Sequence, residues 1–159
     1  MITQSFLREI FDYNNGCLVW KINRTNGVKA GDIAGSVQKS GYIRVSINDK
    51  PYSAHRLVFF WHHGYFPKFI DHIDRNRSNN KIENLREATP TQNQGNRNLS
   101  KTNTSGYRGV GWHKKYSKWV ARISINGKLK NLGQFDDKEE ARRVYCEAAK
   151  AHFGEFANV

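Results

Sequence analysis

The chain has 159 residues, a formal net charge of +12 and a pI near 9.9. This length suits one ordinary domain or two small ones, and no apolar run approaches the ~20 residues that a membrane span needs. No secretory leader follows Met1, so we expect a cytoplasmic protein with no membrane partner and no evident obligatory protein partner. Cys17 and Cys146 fit neither a zinc ribbon nor a disulfide framework, and we interpret both as buried thiols.

The positive charge is concentrated in one part of the chain. Between Ala88 and Phe135 there is no Asp or Glu. This acid-free span contains the following basic residues: Arg97, Lys101, Arg108, Lys114, Lys115, Lys118, Arg122, Lys128 and Lys130. A solvated face normally mixes both signs of charge. The span therefore favours a polyanionic partner, and nucleic acid is the polyanion that such a basic surface suits best.

The first part of the chain, up to about residue 66, predicts small strands between two helices. The elements are a helix in "TQSFLREIFDY", strands in "CLVWKI", "GYIRVSI" and "KPYSAHRLV", and a helix in "HRLVFFWHHGYF". We expect a hairpin with its turn at residues 48–50, and a helix end at Gly64 and Pro67. His62 and His63 have no carboxylate or Cys at ligand spacing, so we interpret them as structural or solvent-facing.

The stretch from 67 to 98 is rich in Asn and Asp. "KFIDHID" predicts a short strand, "RNRSNN" a turn, and "KIENL" a returning strand. A short helix follows in "TPTQNQGNR", with Thr89 as N-cap and Pro90 at its first position. Two strands and a helix form a ββα unit, which would bring Asp71 and His72 opposite Asn93.

These three residues suit phosphodiester hydrolysis. Asp71 and Asn93 offer oxygens to a hard divalent cation, Mg²⁺ or Mn²⁺, that completes its shell with water and phosphate. His72 can take a proton from an attacking water, and Asn84 would hold the loop by hydrogen bonds to its backbone. Neighbours on a strand point to opposite faces, so Asp71 and His72 can flank one phosphate only if the pleat breaks there.

Alternatives remain for this stretch. Asp74 is a rival metal ligand, although its place before "RNRSNN" also suits a turn-forming carboxylate. Asn96 is a weaker rival for Asn93. The plainest alternative, a polar loop with an incidental His, explains neither the Asp-His pair nor the spacing of the Asn residues.

The last segment, from 107 to 159, predicts three strands and one helix. "KWVARISI" and "KLKNLGQF" join through an Asn-Gly turn. Either Asp136 with Glu139 or Asp137 with Glu140 would cap the start of the helix. Its apolar face would consist of Ala141, Val144, Tyr145 and Ala148. Gly154 would end it.

Alternation assigns the two faces of this predicted sheet. Trp119, Ala121, Ile123 and Ile125 would pack on the helix, which leaves Lys118, Val120, Arg122 and Ser124 on an uncovered face. We expect Arg108, Lys128 and Lys114 to share that face. Such a sheet can enter the major groove of DNA. Trp112 is either a base or sugar contact or an exposed packing residue.

The stretch "AHRLV...DHID.N..NN.IENLR.AT..QN..N" resembles the HNH nucleases, in the variant of phage and intron-encoded homing endonucleases whose last His is Asn. The resemblance implies that His72 is the general base, that Asn84 holds the loop, and that Asp71 and Asn93 bind one metal ion. His55 resembles the "HR" of the family, for which we favour a buried orienting role over catalysis.

The segment from 107 to 159 resembles the AP2 DNA-binding domain through "YRGV", "KWVARI", "LGQF", "EEARRVY" and "G.FAN". It departs from the plant pattern after "YRGV", where Gly111, Trp112 and His113 stand in place of further arginines. The resemblance therefore implies the fold and DNA binding, but not the DNA sequence that the plant proteins prefer.

Together these features predict an α+β protein of two domains. We expect an HNH domain over 1–98, whose ββα-metal core covers about 67–98 and follows a β-rich elaboration. A basic polar linker at 99–106 and an AP2 domain at 107–159 would follow. The implied function is metal-dependent cleavage of double-stranded DNA by a free-standing phage homing endonuclease, acting in the host cytoplasm. The alternatives are a DNA-binding regulator with an inactive nuclease domain and a structure-selective or RNA nuclease.

Overall fold

A computed structural model describes residues 2–24 and 27–159. The chain divides into two compact units, Met1–Glu87 and Ala88–Val159. Helices and strands alternate in both units, and the strands form small antiparallel sheets of two or three strands. The predicted α+β class is confirmed.

The first unit opens with α1 (Gln4–Ile10), which is shorter than the helix predicted at this place. The Thr3 side chain caps α1 by accepting a hydrogen bond from the Phe6 amide at 3.2 Å. The chain then becomes extended at Phe11, and β1 (Phe11–Asn14) pairs with β2 (Cys17–Trp20). Because the aromatic residues of "IFDY" suit a half-buried strand as well as a helix, periodicity alone could not separate the two.

A three-stranded sheet follows, made of β3 (Ser36–Val37), β4 (Ile43–Ile47) and β5 (Lys50–Ser53), with β4 in the centre. The predicted hairpin is confirmed: Asn48 and Asp49 form its turn with φ of +48° and +61°. Positive φ at both turn residues matches the right-handed twist of the strands. The helix α2 (Ala54–His63) comes next and ends at Gly64, whose left-handed conformation closes the helix as predicted.

The core of the first unit lies between α1, α2 and these strands. Its most deeply buried residues include Leu7, Phe11, Val45, Leu57 and Val58. The core therefore supports α2 and the segment that follows it. The predicted buried Cys17 is only half-buried, as is Cys146 in the second unit, and both thiols are free.

The Asn-rich stretch forms a two-stranded sheet of β6 (Ile70–His72) and β7 (Leu85–Glu87). A 3₁₀ helix, Ile82–Asn84, precedes β7, so the prediction of one strand through "KIENL" was wrong up to Asn84, and only its last residue, Leu85, lies in a strand. Asn84 therefore ends a helical turn and does not lie in a strand. Its side chain is committed to hydrogen bonds within the loop, which favours a turn over a strand.

The second unit begins with α3 (Pro90–Gly95). Thr89 caps this helix, and Thr89 and Gln92 form a reciprocal capping box, with Pro90 at the start as predicted. Gly95 packs closely within the unit, since a Cβ at this position would come within 2.7 Å of Cγ of Phe153. The segment from 88 to 98, which we assigned to the first domain, thus makes these contacts within the second unit.

The rest of the second unit has the predicted order of elements. The strands β8 (Val110–His113), β9 (Lys118–Ile125) and β10 (Lys128–Phe135) form an antiparallel sheet with β9 in the centre. The helix α4 (Lys138–Phe153) packs on this sheet, and a 3₁₀ turn, Gly154–Phe156, follows. Of the two predicted capping residues the structure selects Asp137, whose carboxylate accepts from the amides of Glu139 and Glu140.

The core of this unit confirms most of the predicted faces. Ala121 and Ile123 are buried beside Ala141 and Tyr145, and Trp119 and Ile125 pack at the margin. The buried stripe of α4 continues through Ala149 and Phe153 rather than through Val144.

The opposite face differs from the prediction in one respect. Val120, which we predicted on an uncovered surface, is itself buried.

Candidate nuclease site and DNA-binding surface

The Asp-His pair lies on β6, at the point where this strand ends. Asp71 is paired with Arg86 and His72 with Leu85 in the antiparallel ladder. The two residues are only 8% and 5% exposed. A turn closed by the bond from the Arg75 amide to the His72 carbonyl, 2.9 Å long, begins at once. The ladder is thus regular between the two residues, and the pleat ends at His72 itself.

Arg86 holds the carboxylate of Asp71. Its Nε and its terminal nitrogen each lie 3.0 Å from Oδ2 of Asp71. The two side chains are on facing positions of neighbouring strands and therefore share one face of the small sheet. Both are largely removed from solvent, with side-chain exposures of 15% and 10%. The ion pair fixes the orientation of the carboxylate and compensates its charge.

His72 is enclosed by polar and aromatic groups of the first unit. Its Nε2 lies 3.0 Å from Oδ1 of Asn80. The rings of His55 and Tyr42 approach the His72 ring with centroid distances of 5.2 and 6.0 Å. These contacts limit the rotation of the imidazole, so the ring has a defined orientation.

His55 stays neutral beside His72. Burial, followed by the neighbouring His72 and Arg56, lowers the pKa of His55 to about 3. Within the described residues its buried Nδ1 has no hydrogen-bond partner. A ring that packs against His72 and does not carry charge fits the buried orienting role better than a catalytic one.

Asn84 is the centre of the loop between β6 and β7. Its Oδ1 accepts from the Asp74 amide at 3.0 Å, and its Nδ2 donates to the Asn79 carbonyl at 2.8 Å. The geometry is that of a residue which holds the loop through its backbone, the role that the sequence suggested for it.

Asp74 is a turn-forming carboxylate in this structure. Its oxygens accept from the Asn76 amide and from the side chains of Asn79 and Asn84. These hydrogen bonds outweigh burial and lower the pKa of Asp74. Since its oxygens are used in this way, the turn-forming interpretation is favoured over that of a metal ligand.

Asn93 and Asn96 lie in the second unit. Asn93 is half-buried on α3, and its backbone amide donates to the Thr89 carbonyl at 2.9 Å, while Asn96 is the buried C-cap residue that follows the helix. In the described part of the chain no three His, Cys, Asp or Glu side chains form a metal-binding group. The assignment of Asn93 as a ligand rests on its position in the motif.

Two known families match the chain at these elements. Residues 52–94 match the HNH endonuclease family, and residues 105–155 match the AP2 domain. Protein 3.8 of Escherichia phage T7 is 38% identical over 96 residues, which are 59% of this chain and 78% of that protein. The chain belongs to the HNH endonuclease family. The HNH match indicates nuclease activity, and the two matches together indicate DNA binding.

Two mimivirus proteins are also similar to this HNH endonuclease. The uncharacterised HNH endonuclease L560 of Acanthamoeba polyphaga mimivirus is 36% identical over 122 residues, which are 75% of this chain and 62% of that protein. A second one, L245 of the same virus, is 35% identical over 88 residues, which are 26% of its length. No solved structure matches the chain. None of the described helices is long and apolar enough to cross a membrane.

The AP2 domain does not present the predicted basic residues on one face. Lys128 and Lys130 are paired with Ile125 and Ile123, which belong to the helix-facing side of the sheet. Lys118 and Arg122 lie on the opposite side, so the prediction that Lys128 shares their face was wrong. The hairpin register decides this, because paired residues share a face.

Arg108 has a role that the sequence did not predict. Its guanidinium donates to the carbonyl oxygens of Gln94, Gly95 and Arg97, the last at 2.9 Å. The carbonyls of Gln94 and Gly95 lie in the last turn of α3, where a helix leaves its acceptors without intrahelical partners, and that of Arg97 lies just beyond the helix. Arg108 thus caps α3 within the second unit.

The other predicted DNA contacts are mostly on the surface. Lys118 forms an ion pair with Asp136. The remaining side chains are exposed, and they are those of Arg97, Lys101, Trp112, Lys114 and Arg122. Trp112 is exposed by about half and contacts Trp119 edge to face. Exposed cations can reach phosphates, so Arg122 and Lys114 are the better candidates for DNA contact.

Sequence reasoning missed two residues of the site, Arg86 and Asn80. Arg86 stands in the quoted motif "ENLR", and its cross-strand position opposite Asp71 was the available signal. Asn80 gave no signal that separates it from its asparagine neighbours, because only the folded loop brings it to His72.

Proposed function

We propose that this HNH endonuclease hydrolyses phosphodiesters of double-stranded DNA with His72 as the general base and one divalent cation. The observation that carries the proposal is the buried Asp71-His72 pair, in which Arg86 and Asn80 each hold one side chain. Buried polar side chains with dedicated partners are typical of a prearranged site. Such an arrangement suits catalysis better than it suits a surface loop.

His72 would accept a proton from the attacking water. A neutral imidazole carries a lone pair on one ring nitrogen and can act as a base. Its ring is held between His55, Tyr42 and Asn80. A fixed ring keeps the basic nitrogen in one place, which contributes to the rate by orientation.

Asp71 and Asn93 are the residues that we propose to hold the cation. A carboxylate and an amide oxygen suit Mg²⁺ or Mn²⁺. The Arg86 bond to Asp71 fits this role, since ligating carboxylates are usually oriented by a second group. When bound, the cation would stabilise negative charge on the phosphate and on the leaving oxygen.

The AP2 domain is proposed to supply much of the DNA affinity and the preference for a target site. The acid-free span from 88 to 135 supports this division, because phosphate neutralisation by Lys and Arg dominates affinity. The likeness to a phage protein supports a phage homing endonuclease that acts in the host cytoplasm. A homing role requires that cleavage is confined to few sites, which sequencing of the cut ends from phage genomic DNA would measure.

The decisive experiment incubates the full chain with supercoiled plasmid and Mg²⁺ or Mn²⁺, with and without EDTA. We expect nicked or linear DNA that requires the metal, and loss of cleavage in His72→Ala and Asp71→Ala with DNA binding retained. An uncut plasmid that is nevertheless bound would identify a DNA-binding regulator. Cleavage confined to RNA or to branched DNA would identify the other alternative, and cleavage in EDTA would refute the metal.

A further inference from the structure

The helix α3 is too short to be stable by itself. It spans only Pro90–Gly95, and isolated helices shorter than about 12–15 residues are marginal in water. It carries Asn93, the residue that we propose as a metal ligand, and it lies in the same compact unit as the AP2 sheet. Tertiary contacts must therefore hold this helix in place.

Two side chains from distant parts of the sequence hold the C-terminal end of α3. The guanidinium of Arg108 donates to the carbonyls of Gln94, Gly95 and Arg97. Asn158 adds two bonds, from its backbone amide to the Gly95 carbonyl at 3.2 Å and from its Nδ2 to the Arg97 carbonyl at 2.8 Å. Two of these carbonyls thus accept from both residues, and bonds from a charged donor are stronger than neutral ones. We call Arg108 and Asn158 the α3 brace.

Two further contacts fix α3 within the second unit. Gly95 lies so close to α4 that a Cβ at this position would come within 2.7 Å of Cγ of Phe153. Near the other end of the helix, the Thr91 hydroxyl donates to Oδ1 of Asn126 at 3.0 Å. Asn126 lies in the turn that joins β9 and β10. The helix is therefore held at both of its ends by groups of the AP2 domain.

The segment from 99 to 106, which we predicted as a linker, is not the main connection between α3 and the AP2 domain. Its end is docked, because Ser105 is only 6% exposed and its hydroxyl donates to the Val110 carbonyl at 2.7 Å. A flexible linker lets the elements on its two sides move independently. The α3 brace instead joins the residues before this segment directly to those after it.

We propose that the α3 brace fixes the distance between the bases that the AP2 sheet reads and the phosphate that is cut. A ligand of the cation must lie beside that phosphate, and α3 carries Asn93 within the unit that holds the sheet. The span from Asn93 to the sheet is then set by the brace and not by the length of the segment 99–106. Arg108 and Asn158 are accordingly positioning residues. This inference rests on the proposed roles of Asn93 and of the AP2 domain.

The first test measures hydrogen exchange of the full chain without metal and requires no activity. The probes are the amides of Asn93 and Asn96, which donate to carbonyls at the start of α3. A Gly-Ser-Gly-Ser insertion after the exposed Leu99 should leave their protection unchanged, because loop closure depends only weakly on loop length. Arg108→Ala should lower their protection by about 10-fold or more, since it removes hydrogen bonds from a charged donor.

Two other variants complete this test. Asn158→Ala removes only the side-chain bond to the Arg97 carbonyl, and it should lower the protection of α3 in the same direction. It also tests the brace if Arg108→Ala fails to fold. The matched control is Arg143→Ala, since Arg143 pairs with Glu147 on α4 at 2.9 Å. The control should leave the exchange of α3 unchanged.

The second test maps the cut positions by sequencing the ends that the full chain produces on plasmid DNA with Mg²⁺. The wild type, the insertion variant and Arg143→Ala should share one set of positions. Arg108→Ala combined with the insertion should spread the cuts over more positions, because neither the brace nor a short segment then fixes the span.

Several results would contradict the inference. If the insertion alone frees α3 or spreads the cuts, the segment 99–106 sets the span. Unchanged exchange of α3 in both Arg108→Ala and Asn158→Ala would show that no brace exists. Cuts that are already scattered in the wild type, or unspread in the combined variant, would show that the brace sets no distance. A wild type that cuts no DNA would refute the proposed function, whereas the exchange measurement would still test the brace.

Discussion

The ion pair between Arg86 and Asp71 allows a quantitative prediction. Replacing Arg86 by Met keeps most of the side-chain length and removes both hydrogen bonds to Oδ2 of Asp71. The carboxylate then remains in a site where the pair is only 10–15% exposed, without this compensating cation. Breaking a buried pair in this way costs about 3–5 kcal/mol. We expect the free energy of unfolding of the first unit to fall by that amount.

The measurement must report on the first unit, because the chain has two units and global unfolding need not be two-state. Hydrogen exchange of the buried β4 amides supplies such a reading. The exposed pair of Lys21 with Asp12, 3.7 Å apart, is the control, and Lys21→Met should cost less than about 1 kcal/mol. The double variant Arg86→Met/Asp71→Leu should recover most of the loss, since it removes both charges.

The reasoning is refuted if Arg86→Met stays within about 0.5 kcal/mol of the wild type, the range of an ordinary surface substitution. A double variant that is less stable than Arg86→Met alone would also refute it. In that case packing, and not the uncompensated charge, would determine the cost.

Three further predictions concern pH, DNA binding and packing. His55 has a folded pKa of about 3 against 6.5 in the unfolded chain, so stability of the first unit should fall as pH drops from about 7 towards 3, and His55→Phe should flatten that fall in acid titrations. Arg108→Ala should lower the free energy of unfolding of the second unit by about 1–3 kcal/mol. Arg122→Ala should instead lower DNA affinity in binding assays, and it should reduce the slope of log affinity against log salt concentration by about one unit. Gly95→Ala should destabilise the second unit in urea unfolding, because its Cβ would clash with Phe153.

Much of the second unit could be read from the sequence because its signals are local. The Asn126-Gly127 turn, the alternation along β9 and the cap at Asp137 each depend on a few neighbouring residues. The register of β10 was not local. A bulge between Asn131 and Gly133 shifts the pairing of the second half of β10. Lys128 lies before this bulge, and its pairing with Ile125 places it on the helix-facing side, which alternation along a single strand did not indicate.

The site shows the same division between local and tertiary information. The residues Asp71, His72 and Asn84 were proposed from their spacing, since a motif is a local pattern of residue types. The bounds of the surrounding elements were predicted less well. A 3₁₀ turn at Ile82–Asn84 stands where a strand was predicted, because side-chain bonds to the loop backbone compete with strand pairing.

The sequence by itself determined the two families, the acid-free span and the residue types of the candidate nuclease site. Only the tertiary structure decided which groups hold those residues. Arg86 reaches Asp71 across two strands, Asn80 reaches His72 from the far side of a turn, and His55 is neutral because the fold buries it beside another histidine. Such contacts depend on strand register, loop path and burial, and these are fixed by the packing of the whole unit.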